Sequence, residues 1–158
     1  MEESTLKYWK DAGHVARRTL EAMKLELTPG KTFHEVIESA ERYIHRHGGK
    51  PAFPGTIAVN DLAAHFTTDH SVNAVEGWDG EMVLQKGDCV KIDFGVHIKG
   101  HIADNALTFE IGNGNEHTEQ IKAAKEARDA AIEMLHPGTP WYKVGQAAAQ
   151  PSLDAGFQ

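Results

Sequence analysis

The chain has 158 residues, ten histidines, one cysteine and a formal net charge of −7, which suits one soluble domain with its own core and argues against nucleic acid as a partner. Cys89 alone excludes an internal disulfide and fits a reducing compartment. The N-terminus lacks a signal-peptide pattern and no apolar run nears the roughly 20 residues that span a bilayer, so no membrane contact and a cytoplasmic setting are expected.

In chain order, Leu6–Lys24 reads as an amphipathic helix with Trp9, Ala12, Ala16, Leu20 and Met23 on one stripe. Thr28-Pro29-Gly30 breaks it. Thr32-Phe33-His34-Glu35 has the form of a capping box, with Thr32 as N-cap and Glu35 reaching back. The helix it opens turns Phe33, Val36, Ile37, Ala40, Tyr43 and Ile44 inward and stops at Gly48-Gly49. Extended segments follow at Thr56–Val59, near Glu81–Leu84, and from Cys89 to Phe109. Gly112-Asn113-Gly114 closes the strands. A third helix is predicted from about Glu116 to Leu135, stopped by Pro137-Gly138. A fourth is predicted with Thr139 as N-cap and Pro140 at its first position. Pro151 predicts a kink or an early end in it.

The order helix, helix, strands, helix, helix contains a repeat. Pro29 and Pro137 lie 108 positions apart, and so do Gly48 and Gly156. This is too long for a solenoid period and reads as a duplicated half-domain. Residues 1–114 form the first half, and 115–158 the opening helices of a second. At the same offset Gln158 corresponds to Lys50, where the first copy goes on into its strands.

The segment Cys89–Phe109 carries the chemistry. It alternates, is rich in β-branched and aromatic residues, and has Lys99-Gly100 at its middle, which predicts two strands joined by a tight hairpin. In that register Ile98 faces His101 and Gly95 faces Asp104. Asp93, Gly95, His97 and Asp104 then share one face. Asp93 becomes the diagonal neighbour of Asp104, roughly 7–8 Å away by backbone, with Gly95 leaving the space beside them empty. Two carboxylates forced together repel one another and lose solvation, and a metal ion relieves both penalties. The plainer alternative is that the two carboxylates cap loops or pair with Lys91 and Lys99; against it, Lys91 is on their face while Lys99 lies in the turn. Asp is disfavoured inside strands, which favours the metal reading. Hard oxygen donors with a nearby imidazole suit Mn²⁺, Fe²⁺, Co²⁺ or Zn²⁺.

Other residues carry weaker signals. His65, in an apolar run, is ordinarily a buried structural histidine; as a functional group it would sit near a substrate carbonyl or amine. His97 is either a group behind the ligands or simply exposed at the turn. Pro51-Ala52-Phe53-Pro54 is a rigid connector or a pocket wall, and Cys89 is expected to be buried and inert.

At these residues the chain resembles the type II methionine aminopeptidases of archaea and eukaryotes. Pro51-Ala52-Phe53-Pro54, Asn60, Ala63-Ala64-His65-Phe66-Thr67, Gly87 to His97 with its Asp-Phe-Gly-x-His form, and Ala103-Asp104 stand in that family's order and spacing. The resemblance covers essentially the whole chain. It implies an α/β pita-bread fold around two divalent metal ions (Co, Mn, Fe or Zn). It implies that Asp93 chelates one metal, that Asp104 bridges both, and that His65 is a catalytic and substrate-binding histidine outside the ligand set. Phe53 and Pro54 would wall the methionine pocket. The implied substrates are nascent chains and peptides beginning with Met. The family's other ligands, one histidine and two glutamates, come from its second half, beyond Gln158, so weak or no metal binding and little activity are expected of these 158 residues alone. Asn105 stands where a small hydroxyl or thiol residue is more usual, and Thr68 where a proline is common. Two other readings compete: a non-catalytic binding module on the same fold, and a creatinase- or prolidase-like metalloenzyme. An incomplete sheet also offers an edge through which two chains could pair.

Overall fold

The computed structural model describes residues 3–68, 82–112 and 114–157, in two compact units, Met1–Gly114 and Asn115–Gln158. The first unit holds α1 (Glu3–Glu26), α2 (Phe33–Arg46), β1 (Lys50–Pro51), β2 (Thr56–Val59), β3 (Cys89–Ile98) and β4 (His101–Glu110). The second holds α3 (Thr118–Met134) and α4 (Trp141–Asp154).

Strand β3 organises the first unit. The short β1 and β2 pair antiparallel with different stretches of it, and β4 pairs along its whole length. Ile98 stands opposite His101 and Gly95 opposite Asp104, as the hairpin pattern predicts. Lys99 and Gly100 both have positive φ, 50° and 81°, the backbone of a tight turn matched to strand twist. The tip is held to α1: Lys99 Nζ donates to Tyr8 Oη at 2.9 Å, and the His101 ring packs on Tyr8 and Trp9. This contact accounts for Trp9, placed on the inward stripe by its spacing yet 41% exposed.

Side chains alternate along β3. Val90, Ile92, Phe94 and Val96 enter the core with Ile57 and Val59 of β2. From α1 and α2 come Ala12, Val15, Ala16, Met23, Phe33, Val36, Ile37, Ala40 and Ile44, leaving the other face of the sheet to Lys91, Asp93, Gly95 and His97. Each fully buried large apolar side chain stabilises the fold by roughly 1.5–3 kcal/mol. The capping box forms as the sequence indicates: Thr32 Oγ1 accepts from the Glu35 amide, and the Glu35 carboxylate accepts from the Thr32 amide. The segment near Glu81–Leu84, expected as a strand, is a single bridge between Val83 and Thr32, flanked by amide-to-carbonyl bonds from Gly30 to Leu84 and from Phe33 to Met82. Its first residue, Glu81, and Asn113 lie outside the described residues.

The repeat holds at the level of elements. Glu26 and Met134 end the first helix of each pair, Phe33 and Trp141 begin the second, and Arg46 and Asp154 end it, all at the same 108-residue offset. The turn glycines match in conformation: φ is 89° at Gly30 and 90° at Gly138, 81° at Gly48 and 82° at Gly156. One expectation for α4 fails, and half of another. Pro140, not Thr139, is the N-cap, because its ψ of 136° is extended and the helix begins one residue later. Pro151 does not end the helix early. It lies in the last turn, where it deletes one amide bond while its own carbonyl still accepts from Ala155.

Gly49 locks the end of α2 onto the sheet. A Cβ there would lie 2.7 Å from Val96 Cγ1 and 3.2 Å from Ile44 Cγ2. Gly49→Ala should therefore cost about 1–3 kcal/mol in urea denaturation; an unchanged midpoint would mean that this contact is not close-packed in solution.

Candidate metal centre

The hairpin register builds the site. Asp93 on the central strand and Asp104 on β4 sit one diagonal step apart on the same face, since Asp104 pairs with Gly95 and Asp93 with Ala106. Across the other edge, Thr56 of β2 stands directly opposite Asp93. Asp93 is thus flanked by two small side chains and is half-buried, with its Oδ1 enclosed and lacking a hydrogen-bond partner among the described residues. Burial raises the Asp93 carboxyl above its ordinary pKa. The Asp104 charge and a hydrogen bond shared with Asp104 push it the same way, and His65 opposes them.

The lysines do not neutralise the pair. Lys91 Nζ donates to the Asn60 carbonyl at 2.6 Å, and Lys99 reaches Tyr8. Among the described residues neither aspartate forms an ion pair. The acidic pair is therefore left with repulsion that a divalent cation would remove.

His65 is not a buried structural histidine. It is exposed and has φ 64°, a left-handed conformation that costs a non-glycine residue of order 1–3 kcal/mol. Its neighbours hold it there. Asn60 fixes the start of the loop, accepting from the Cys89 amide and donating to Asp88. Phe66 fixes the end: its carbonyl accepts from the Ile57 amide, and its ring packs edge-on against Phe33.

Phe53 lies over Gly95. A Cβ on Gly95 would fall 2.4 Å from Phe53 Cε1 and 2.9 Å from Ala52 Cβ. The space beside the aspartates, expected to be empty, is filled by this aromatic ring, because the Ala52 amide bonds to the Gly95 carbonyl and draws the segment onto β3. Pro54 lines a cleft of about 300 Å³ with His34, Ile37, Glu38, Glu41, Thr67 and Thr68. His97 Nδ1 accepts from the Gly100 amide at 3.3 Å, which makes it a turn residue. Cys89 is buried, and burial raises its thiol pKa.

Thr56 carries no sequence signal for this role; only the pairing of β2 with β3 brings it beside Asp93. Among the described residues no set of three or more His, Cys, Asp or Glu side chains converges on one point, and no helix is long and apolar enough to cross a membrane.

The raised pKa of Asp93 sets a pH dependence. A carboxyl whose folded pKa exceeds its unfolded value adds stability below the unfolded pKa and loses it as pH rises through the folded one. Asp93→Asn should therefore raise the thermal midpoint at pH 7, with the difference shrinking towards pH 3; a variant destabilised at pH 7 would contradict this.

The sequence model of metallopeptidase family M24 matches residues 7–158. The chain is 36% identical over 146 residues to a methionine aminopeptidase of Thermococcus onnurineus, covering 92% of this chain and 46% of that protein. It is 35% identical over 158 residues to one from Archaeoglobus fulgidus, covering all of this chain and 50% of that one. The chain thus spans about half the length of these relatives. Its fold matches the crystal structure of methionine aminopeptidase from Rickettsia prowazekii with a TM-score of 0.83 at 21% identity, over 98% of this chain and 61% of that one. The two-helix, antiparallel-sheet and two-helix order is thus a portion of the pita-bread fold, and the chain belongs to metallopeptidase family M24.

Proposed function

We propose that this chain carries the first-half side of a methionine aminopeptidase site, acting on peptides and nascent chains that begin with methionine. The observation that carries this reading is the unpartnered, enclosed Asp93 Oδ1 beside Asp104, with no cation of the chain's own set against either carboxylate among the described residues. An orphaned buried acceptor next to a second carboxylate suits a hard divalent cation. Asp93 would chelate one ion and Asp104 bridge two, with Mn²⁺, Fe²⁺, Co²⁺ or Zn²⁺ compatible with the donors. Bound metal in such a site activates water and polarises the scissile carbonyl.

This chain's own residues supply the surroundings. His65, exposed and in a left-handed conformation, would meet a substrate carbonyl or amine. Phe53 offers an apolar wall over Gly95, suited to an unbranched thioether side chain, and Pro54 stiffens the segment that holds it. The names of the curated relatives support methionine as the residue removed. Two carboxylates alone make an incomplete ligand set, so the 158-residue chain should hold metal weakly.

Release of methionine from a Met-Gly-type peptide, with added Mn²⁺ or Co²⁺ and Asp104→Ala as control, tests this. The chain alone should stay near background. Strong release that disappears in Asp104→Ala would mean that a complete site forms within or between these chains, and would overturn the half-site reading.

A further inference from the structure

The cleft beside Pro54 is lined by neither Asp93 nor Asp104, so it is separate from the candidate metal centre. One wall is a single stripe of α2: His34, Ile37, Glu38 and Glu41 recur at the spacing that places side chains on one helix face. The other wall is Pro54 with Thr67 and Thr68. The two walls are fixed against one another. A Cβ on Gly55 would lie 3.3 Å from Ile37 Cγ2, so the chain after Pro54 is seated on the helix. Ile37, Thr67 and Thr68 are buried, and the Thr68 hydroxyl lies 3.4 Å from His34 Nδ1.

The carboxylates of α2 differ in their partners. Glu35 serves the capping box. Glu38 pairs with Arg42 Nη1 at 3.0 Å and stands 3.5 Å from His34 Nε2. Glu41 is partly buried in the cleft wall, yet it forms no hydrogen bond or ion pair among the described residues. A sheltered carboxylate beside the apolar Ile37 and Pro54 suits a ligand with an aliphatic stem and a cationic head. A purely apolar ligand would take water from Glu41 and return no partner. A metal ion lacks a ligand set here, since no three His, Cys, Asp or Glu side chains converge among the described residues. A volume of about 300 Å³ lies at the small end of ligand clefts, suited to one side chain.

We propose that this cleft binds a basic side chain, lysine or arginine, of a peptide segment. The methylene stem lies on Ile37 and Pro54, and the charged head meets Glu41. The net charge of −7 favours the approach of basic segments. This site does not rest on the aminopeptidase reading, because it uses neither the carboxylate pair nor a metal.

Backbone amide NMR of the 158-residue chain tests this, with the blocked peptide acetyl-Ala-Lys-Ala-amide as probe. Saturable shifts are expected, concentrated at Ile37, Glu41 and Thr68. Replacing lysine by norleucine, which keeps the stem and removes the charge, should raise the apparent Kd about fivefold, the size of a partly exposed ion pair. Glu41→Gln should do the same, while Glu133→Gln on α3 leaves the affinity unchanged, with helical content preserved in both variants. Absent shifts, equal binding of the norleucine peptide, or undiminished binding by Glu41→Gln would overturn the proposal. So would shifts centred on Asp93 and Asp104, which would place the cation in the metal centre. Spermidine separates the sources of the charge: shifts of the cleft amides by spermidine but not by the lysine peptide would overturn the peptide assignment in favour of a free amine.

Discussion

The register of one hairpin decides what this protein can do. A two-residue turn at Lys99-Gly100 fixes Gly95 opposite Asp104, and a slip of one residue would send one aspartate to the opposite face. The register is specified twice. The core face of β3 is an unbroken apolar set, and the tip is tied to α1 through Tyr8, Trp9, Lys99 and His101. The helices thus stabilise the fold on one face of the sheet and, by fixing the register, hold together two like charges on the other. The hairpin spends stability there: the repulsion, the lost solvation of Asp93 and the left-handed backbone at His65 are all unfavourable terms. Unfavourable terms concentrated on one face are what the proposed cation site would relieve.

Much of this was legible in the sequence because its signals are local. The capping box at Thr32 and Glu35, the inward face of α2, the β2 limits at Thr56 and Val59, and the facing of Gly95 and Asp104 all follow from spacing of a few residues. What escaped depends on chain segments far apart. Thr56 beside Asp93, and Phe53 over Gly95, follow from β2 and the Ala52 segment pairing with β3, separated from it by a stretch with no periodic signal. The exposure of His65 was misjudged for the same reason: an apolar run reads as buried until Asn60 and Phe66 are seen to pin its ends and turn the imidazole outward. In α4, a proline's ψ rather than its φ decided where the helix began.

The internal repeat joins fold to function. One helix pair is covered by the sheet that carries Asp93 and Asp104. Its counterpart keeps Leu135 and Trp141 exposed.

The central claim is that Asp93 and Asp104 act as one cation-binding unit. The most direct test is the thermal midpoint of the 158-residue chain against Mn²⁺ concentration, for the native sequence and for Asp93→Asn and Asp104→Asn. Weak stabilisation that appears only at high Mn²⁺ in the native chain, and is lost in both variants, is the predicted result. No stabilisation in the native chain, or equal stabilisation in the variants, would contradict it.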